Sequence, residues 1–382
     1  MANITHKFEK KAILILIILV TSLVGSHLFS KTGNAYTNKD NIQNNNQQLF
    51  VLTSPIPNKI QQFAKEKMSV VLECLPEIVS DWDKYQDESI KISLGSPFIL
   101  GELVYFPILC TDKLIAVLSI TNDEDMSWSV SQELIEEFNY IAPMTTFKNP
   151  VEFALYNNDI YGLIKDRTIR LTNQFNSPSK IKLTSNTLRN KQVSEAFSSS
   201  ESYIFTHIGK INKLNAKKAV KNLAVDLKEK QGSEPWCAAY VGAQIMRYKY
   251  RNTTASQILQ WRYPYVSNDK DLKKLDISRS KLIEYAQGKG FSSLQHFDKT
   301  LSYNEVKKQI DSYNPIYISG HLSTDTNNRH AFTLRGYDEG NKLYSFWNPW
   351  DSSFSFMGIN EKYMPARGKK YIWDKTISNW HL

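Results

Sequence analysis

The residues best suited to covalent chemistry lie in the stretch Gln231-Gly232-Ser233-Glu234-Pro235-Trp236-Cys237-Ala238-Ala239-Tyr240. Cys237 is one of three cysteines in 382 residues. A cysteine acts as a nucleophile in its thiolate form, so its surroundings decide whether it is reactive. Gly232, Ser233 and Pro235 mark a loop that ends at Cys237. Residues 238–250 contain no proline, and Tyr240, Val241, Ile245 and Tyr248 recur there at helical spacing. A proline just ahead of such a run suits a helix start. The pattern predicts Cys237 in the first helical turn, where unpaired N–H groups and the positive end of the dipole lower a thiol pKa. Gln231 is six residues upstream, near enough for its amide to join the Cys237 backbone N–H as a donor to an oxyanion. A lone cysteine is more often a small buried hydrophobe. The weight of the reading comes from partners further along.

Those partners are predicted on a hairpin. Residues 330–337 and 343–347 have strand character, and Asp338-Glu339-Gly340-Asn341 is a turn between them. A turn centred near residue 339 sets His330 beside Asn348, and a slip of one residue sets Pro349 there instead. Facing Cβ atoms are roughly 5 Å apart. On the first register, an amide oxygen that accepts from one imidazole N–H fixes the tautomer and leaves the other nitrogen for a thiol. His321 and His296 have no such acceptor opposite.

The elements that must hold these residues follow from periodicity. After the Cys237 helix, helices are predicted over residues 254–262, 278–288 and 304–313, the last stopped by Pro315. Strands begin at residue 316. Helices followed by an antiparallel sheet make an α+β domain. Upstream, residues 58–75 form a helical face stopped by Pro76. Residues 90–94, 98–109 and 113–121 are β-rich, with Pro107 implying an edge or a break. Residues 129–140 are expected to form a short helix, with Ser129 and Gln132 at capping-box spacing. Residues 153–172 suggest a three-stranded meander. Among the acidic residues of this part, Asp123, Glu124, Asp125, Glu133, Glu136 and Glu137 are expected to be solvated. The serine-rich stretch 176–216 is expected to be an exposed linker.

Residues 1–35 have the form of a signal peptide: Lys7, Lys10 and Lys11, an apolar stretch over residues 12–25, then Gly33-Asn34-Ala35. The membrane is then a partner only during export. The organisation expected is a signal peptide over 1–35, a mixed, mostly β domain over 36–216, and an α+β domain over 217–382. Three cysteines exclude a disulfide scaffold, and Cys74 and Cys110 are either bridged or two buried thiols. Charge divides along the same line. Residues 217–382 carry 26 Lys+Arg against 16 Asp+Glu, while residues 36–216 carry 17 against 21. Either the halves are partners with complementary fields, or the basic half seeks anionic polymers such as cell-wall polyanions. No zinc spacing or aromatic-basic nucleic-acid motif occurs, so neither a metal nor nucleic acid is expected, and no cofactor.

Gln231-Gly232, Trp236-Cys237-Ala238, Tyr303-Asn304-Glu305-Val306, His330-Ala331 and Trp347-Asn348-Pro349-Trp350-Asp351 together resemble the staphopain group of papain-like cysteine proteases. The resemblance covers roughly residues 217–382. It implies a papain-like catalytic domain preceded by an inhibitory pro-domain. It implies Cys237 as nucleophile, His330 as its acid–base partner, Asn348 orienting His330, Gln231 in the oxyanion hole and Trp350 covering the His330–Asn348 bond. Protein or peptide substrates, the chain's own pro-domain and a small dedicated inhibitor protein are the implied partners. A secreted, extracellular endopeptidase made as a zymogen is the implied function, with association to the cell wall as a further expectation. Arg329 departs from the pattern by setting a cation beside His330, and Glu234-Pro235 stiffens a loop that is richer in glycine in relatives. The same residues also suit a thiol-dependent cell-wall peptidase or acyltransferase, and the basic half suits a catalytically degenerate surface-binding protein.

Overall fold

A computed structural model describes residues 48–85, 90–156, 159–172, 191–205 and 219–382. The signal-peptide reading and most of the expected linker lie outside these residues.

The strand Leu103–Cys110 shows how the first half is built. It is buried along its whole length. Val104, Phe106, Ile108 and Cys110 face one core with Met68, Val71 and Leu75 of the helix Asn58–Ile78. Leu103, Tyr105 and Leu109 face a second core with Phe98, Phe138 and Phe153. A strand with apolar neighbours on both faces needs no polar alternation, hence the unbroken apolar run. Pro107 is tolerated at an interior position for a local reason. On one side Phe98–Leu100 pairs with residues 103–105 and Ile90–Gly95 with residues 108–110, so Pro107 falls in the gap between them. The helix runs through Pro76 to Ile78 rather than stopping at it, because Cys74, Leu75 and Ile78 are all packed in the core. Cys74 and Cys110 are both buried free thiols.

The expected helix from Ser129 is instead the strand Trp128–Ser131, followed by the helix Ile135–Ile141. Two sheet partners outweigh the local capping signal. One edge pairs with Lys113–Thr121 and the other with Phe356 and Met357 of the second half. The Ser129 hydroxyl donates to the Pro365 carbonyl at 3.2 Å rather than capping a helix. Part of the expected linker is also sheet, since Gln192–Glu195 pairs with Phe50–Thr53 and Ser199–Phe205 with Ile90–Gly95. The meander is present as Glu152–Tyr156, Asp159–Ile164 and Arg167–Arg170.

The second half opens with helices Cys237–Tyr248, Ala255–Arg262, Asp269–Leu272 and Arg279–Gly288, then Tyr303–Asp311. Its antiparallel strands Ile316–Leu322, Asp325–Asp338, Leu343–Trp347, Phe354–Gly358 and Lys369–Ser378 follow, as the α+β reading requires. Through the pairing of Trp128–Ser131 with Phe354–Gly358, the sheets of the two halves are continuous, with 14 strands among the described residues.

The contact between the halves is charge-complementary. Arg335 meets Glu77 at 2.8 Å, Lys362 meets Asp125 at 2.8 Å, and Lys370 meets Asp123 at 2.7 Å. Two tight turns interlock beside these pairs. The Glu102 N–H donates to the Gly368 carbonyl at 2.8 Å. Gly101 (φ +62°) is so close that a Cβ there would sit 2.3 Å from the same oxygen. None of the helices among the described residues is long and apolar enough to cross a membrane.

Candidate active site

Cys237 is the first residue of its helix, as its flanking sequence predicts. The helix packs its Ala239, Val241 and Ala243 side into the core that also holds Ala331 and Trp347. This sets the thiol against the strand that bears His330. Backbone N–H groups of Ala331, Ala238 and Cys237 all point favourably to the sulfur. Burial nevertheless dominates and pushes the thiol up to about 11. The residue keeps some accessible surface, yet the sulfur itself is desolvated. In the assembled chain the helix position therefore does not yield the low thiol pKa expected from it.

His330 is 2% exposed, and its Nε2 lies 2.8 Å from Asn348 Oδ1. A carboxamide oxygen only accepts, so Nε2 carries the proton and Nδ1 is bare in the neutral ring. Asn348 is held in turn by the Trp350 N–H, which donates to the same Oδ1 at 3.2 Å. Trp350 stacks flat on the imidazole. Burial pushes His330 down to about 3, against the raising effect of Asn348, with smaller lowering contributions from Arg367 and Lys369. Thiol and imidazole are both neutral here.

The hairpin register differs from the expected one. Asp338 pairs with Leu343 and Tyr337 with Tyr344, and a bulge near residue 335 shifts the rest. Asn348 lies just past the end of its strand, so it is not a cross-strand neighbour of His330. The hydrogen bond forms because the loop after Trp347 turns back under the indole of Trp350, not because two strand positions face. Arg329 is also resolved. Its guanidinium pairs with Asp374, which also meets His321 Nδ1 at 3.0 Å, and it is not among the groups that shift His330. Arg329 lines the same cleft as His330, but its guanidinium is engaged by Asp374.

Gln231 is buried, and its Nε2 donates to the Glu234 carbonyl at 2.6 Å. Its own backbone N–H donates to the Pro349 carbonyl at 2.7 Å, so the loop before Cys237 is tied to the loop that carries Asn348. Gln231, Cys237, His330 and Trp350 line one cleft of about 610 Å³. Asp159 and Arg170 of the first half line the same cleft and pair with each other at 2.5 Å. All five site residues named from sequence are thus brought to one place, with Asp159 and Arg170 of the first half in the lining.

Sequence reasoning missed a buried group behind Trp350. Arg367 donates to the Trp350 carbonyl at 2.9 Å and lies 3.8 Å from Asp351. Its backbone N–H donates to Glu133 of the first half at 2.8 Å. Glu133 is 2% exposed, not solvated as expected, and also accepts from Ser119 at 2.8 Å. Burial raises both carboxyls, Asp351 to about 7. The one available signal was that Glu133 stands between the apolar Val130 and Leu134-Ile135.

A cysteine and a histidine in one cleft, the histidine bound through Nε2 by an asparagine, form an arrangement that suits thiol chemistry. The comparisons point the same way. Residues 212–380 match the family described as staphopain peptidase C47. An extracellular cysteine protease of Staphylococcus epidermidis is 22% identical over 160 residues, 40% of this chain and 91% of that protein. A second protein of that name, from Staphylococcus epidermidis ATCC 12228, is matched over 40% of its own length. Staphopain A of Staphylococcus aureus Mu50 is 21% identical over 393 residues, 94% of this chain and 97% of that protein. A solved structure described as a C39-like peptidase from Bacillus anthracis overlaps 43% of the chain at a TM-score of 0.30, too low to bear on the fold. Over residues 212–380 the chain is therefore similar to the staphopain peptidases, and over most of its length to Staphopain A.

Proposed function

We propose that the chain is a secreted cysteine endopeptidase made as a zymogen, with a papain-like catalytic domain over residues 217–382 and residues 36–216 as its inhibitory pro-domain. The observation that carries the reading is the His330 Nε2–Asn348 Oδ1 bond under Trp350, in one cleft with the Cys237 thiol. Bare Nδ1 takes the thiol proton, and the thiolate attacks the scissile carbonyl carbon. The oxyanion is met by the Cys237 N–H and the Gln231 amide. His330 returns the proton to the leaving amine as the C–N bond breaks. Water, deprotonated by Nδ1, then cleaves the thioester and restores the thiol.

The neutral, desolvated thiol and imidazole support a latent state, because only the ionised pair is strongly nucleophilic. Asp159 and Arg170 at the cleft support obstruction by the first half. Charge pairing between the halves supports the same role and uses cations that a free surface-binding protein would present. The test is turnover of casein by the full chain before and after limited proteolysis, beside a Cys237→Ala variant. Activity that appears on proteolysis and is absent from the variant is expected. Cleavage retained by Cys237→Ala would remove the reading.

A further inference from the structure

We infer that Glu234 is a positioning residue for the reaction, a carboxylate clamp that locks the oxyanion-hole loop to the nucleophile's helix. The inference rests on the peptidase reading above. Glu234 is 8% exposed and lines the cleft. Its Oε1 accepts from the Gly232 N–H at 2.9 Å and from the Tyr240 hydroxyl at 2.7 Å. Gly232 belongs to the loop, while Tyr240 lies almost one turn into the helix that begins at Cys237. One carboxylate oxygen thus bridges the two sides of the nucleophile.

The backbone of the same residue holds the proposed oxyanion donor. The Glu234 carbonyl accepts from Gln231 Nε2, which uses one amide hydrogen and leaves the second. A carbonyl cannot donate, so this bond also fixes which amide atom is nitrogen. Pro235 makes the arrangement stiff. A residue before proline is held extended, which limits where the Glu234 carbonyl can point. Gly232 fits because a Cβ there would approach Glu234 Oε2 to 2.9 Å. The clamp therefore fixes this loop with three hydrogen bonds. Burial and the ionised neighbour push the Tyr240 hydroxyl far up, so it stays a donor at any working pH.

A clamp of this kind acts on the transition state and leaves the thiol alone. The test uses the full chain activated by limited proteolysis, with Glu234→Ala, Glu234→Gln and Tyr240→Phe. Steady-state hydrolysis of a peptide substrate is measured beside inhibition by a peptide aldehyde, whose tetrahedral adduct carries an oxyanion. Alkylation of Cys237 by iodoacetamide, which needs no oxyanion hole, is the third readout. Glu234→Ala is expected to lose kcat by on the order of 100-fold, the scale of a small misplacement of a catalytic group. KM and the alkylation rate are expected to change less than about twofold, against that same scale. Aldehyde inhibition should weaken in step with kcat. Glu234→Gln, which keeps an acceptor, should recover most of the loss, and Tyr240→Phe should fall between. Unchanged kcat in Glu234→Ala, or equal losses of kcat and alkylation in all three variants, would overturn the clamp. If Cys237→Ala still cleaves the substrate, the peptidase reading fails instead, which separates the two.

Discussion

The indole of Trp350 lies flat on the imidazole of His330, with ring centroids 3.6 Å apart and planes 8° from parallel. The Trp350 backbone N–H donates to the Asn348 oxygen that orients the imidazole. Trp350 thus closes the His330–Asn348 bond from water and helps hold its acceptor, and a bond in such a site is stronger than in solvent.

Loss of this cover has a defined cost. Trp350→Ala and Asn348→Ala each remove support for one buried hydrogen bond, about 1–3 kcal/mol, or roughly 5- to 150-fold in kcat/KM. Because they act on one unit, the double variant is expected to be little worse than the poorer single variant. Steady-state kinetics on the four proteins of the cycle checks this, and additive losses would show that the two residues work separately.

Acid should affect the buried Asp351 in an unusual direction. Its folded pKa is raised to about 7 by burial, while its unfolded value is near 4. Between these values the unfolded chain has released a proton that the folded chain still holds. By linkage, this group's contribution to stability falls as pH rises from about 4 to 7. His330 works oppositely, since its lowered pKa costs stability as pH falls below about 6.5. Comparison of Asp351→Asn with the parent isolates the carboxyl. The variant is expected to gain stability relative to the parent at pH 8 and to lose that advantage near pH 4, read from thermal midpoints. A difference independent of pH would contradict the assignment.

The two halves should separate more readily when their interlock is damaged. Gly101→Ala forces a side chain into a positive-φ turn and against the Gly368 carbonyl, at a cost of about 1–3 kcal/mol for the backbone strain alone. Glu77→Gln removes the partner of the buried Arg335, but Glu77 is half exposed, so about 1 kcal/mol or less is expected after solvent screening. Earlier release of the first half from a nicked chain, measured by gel filtration at increasing urea, is the expected outcome, larger for Gly101→Ala. Equal release by both variants and the parent would argue against this contact.

How much of this was legible beforehand depended on the range of the interaction. Cys237 at a helix start follows from Pro235 and a 3.6-residue apolar period, both local. The five site residues could be named from short motifs. The strand Trp128–Ser131 could not, because one of its two sheet partners lies more than 200 residues away and a Ser-x-x-Gln spacing imitates a helix cap. The His330–Asn348 contact was foreseen through a register that the hairpin does not have, since the pairing is already offset beside the turn at Asp338 and Leu343. Arg329 seemed a threat because Asp374, its partner, lies far along the chain. The raised thiol pKa of the intact chain was not legible either, because a helix dipole is local whereas desolvation depends on everything packed around the sulfur.

The central claim is that Cys237 is a catalytic thiol held latent by the first half. Its alkylation rate against pH, mapped by mass spectrometry in the intact chain and after limited proteolysis, tests this most directly. In the intact chain, slow labelling with an apparent pKa of about 11 is predicted. After removal of the first half, labelling near pH 7 should rise steeply and depend on His330, so that His330→Ala abolishes the gain. Rapid labelling of the intact chain at neutral pH, or no gain on proteolysis, would contradict the account.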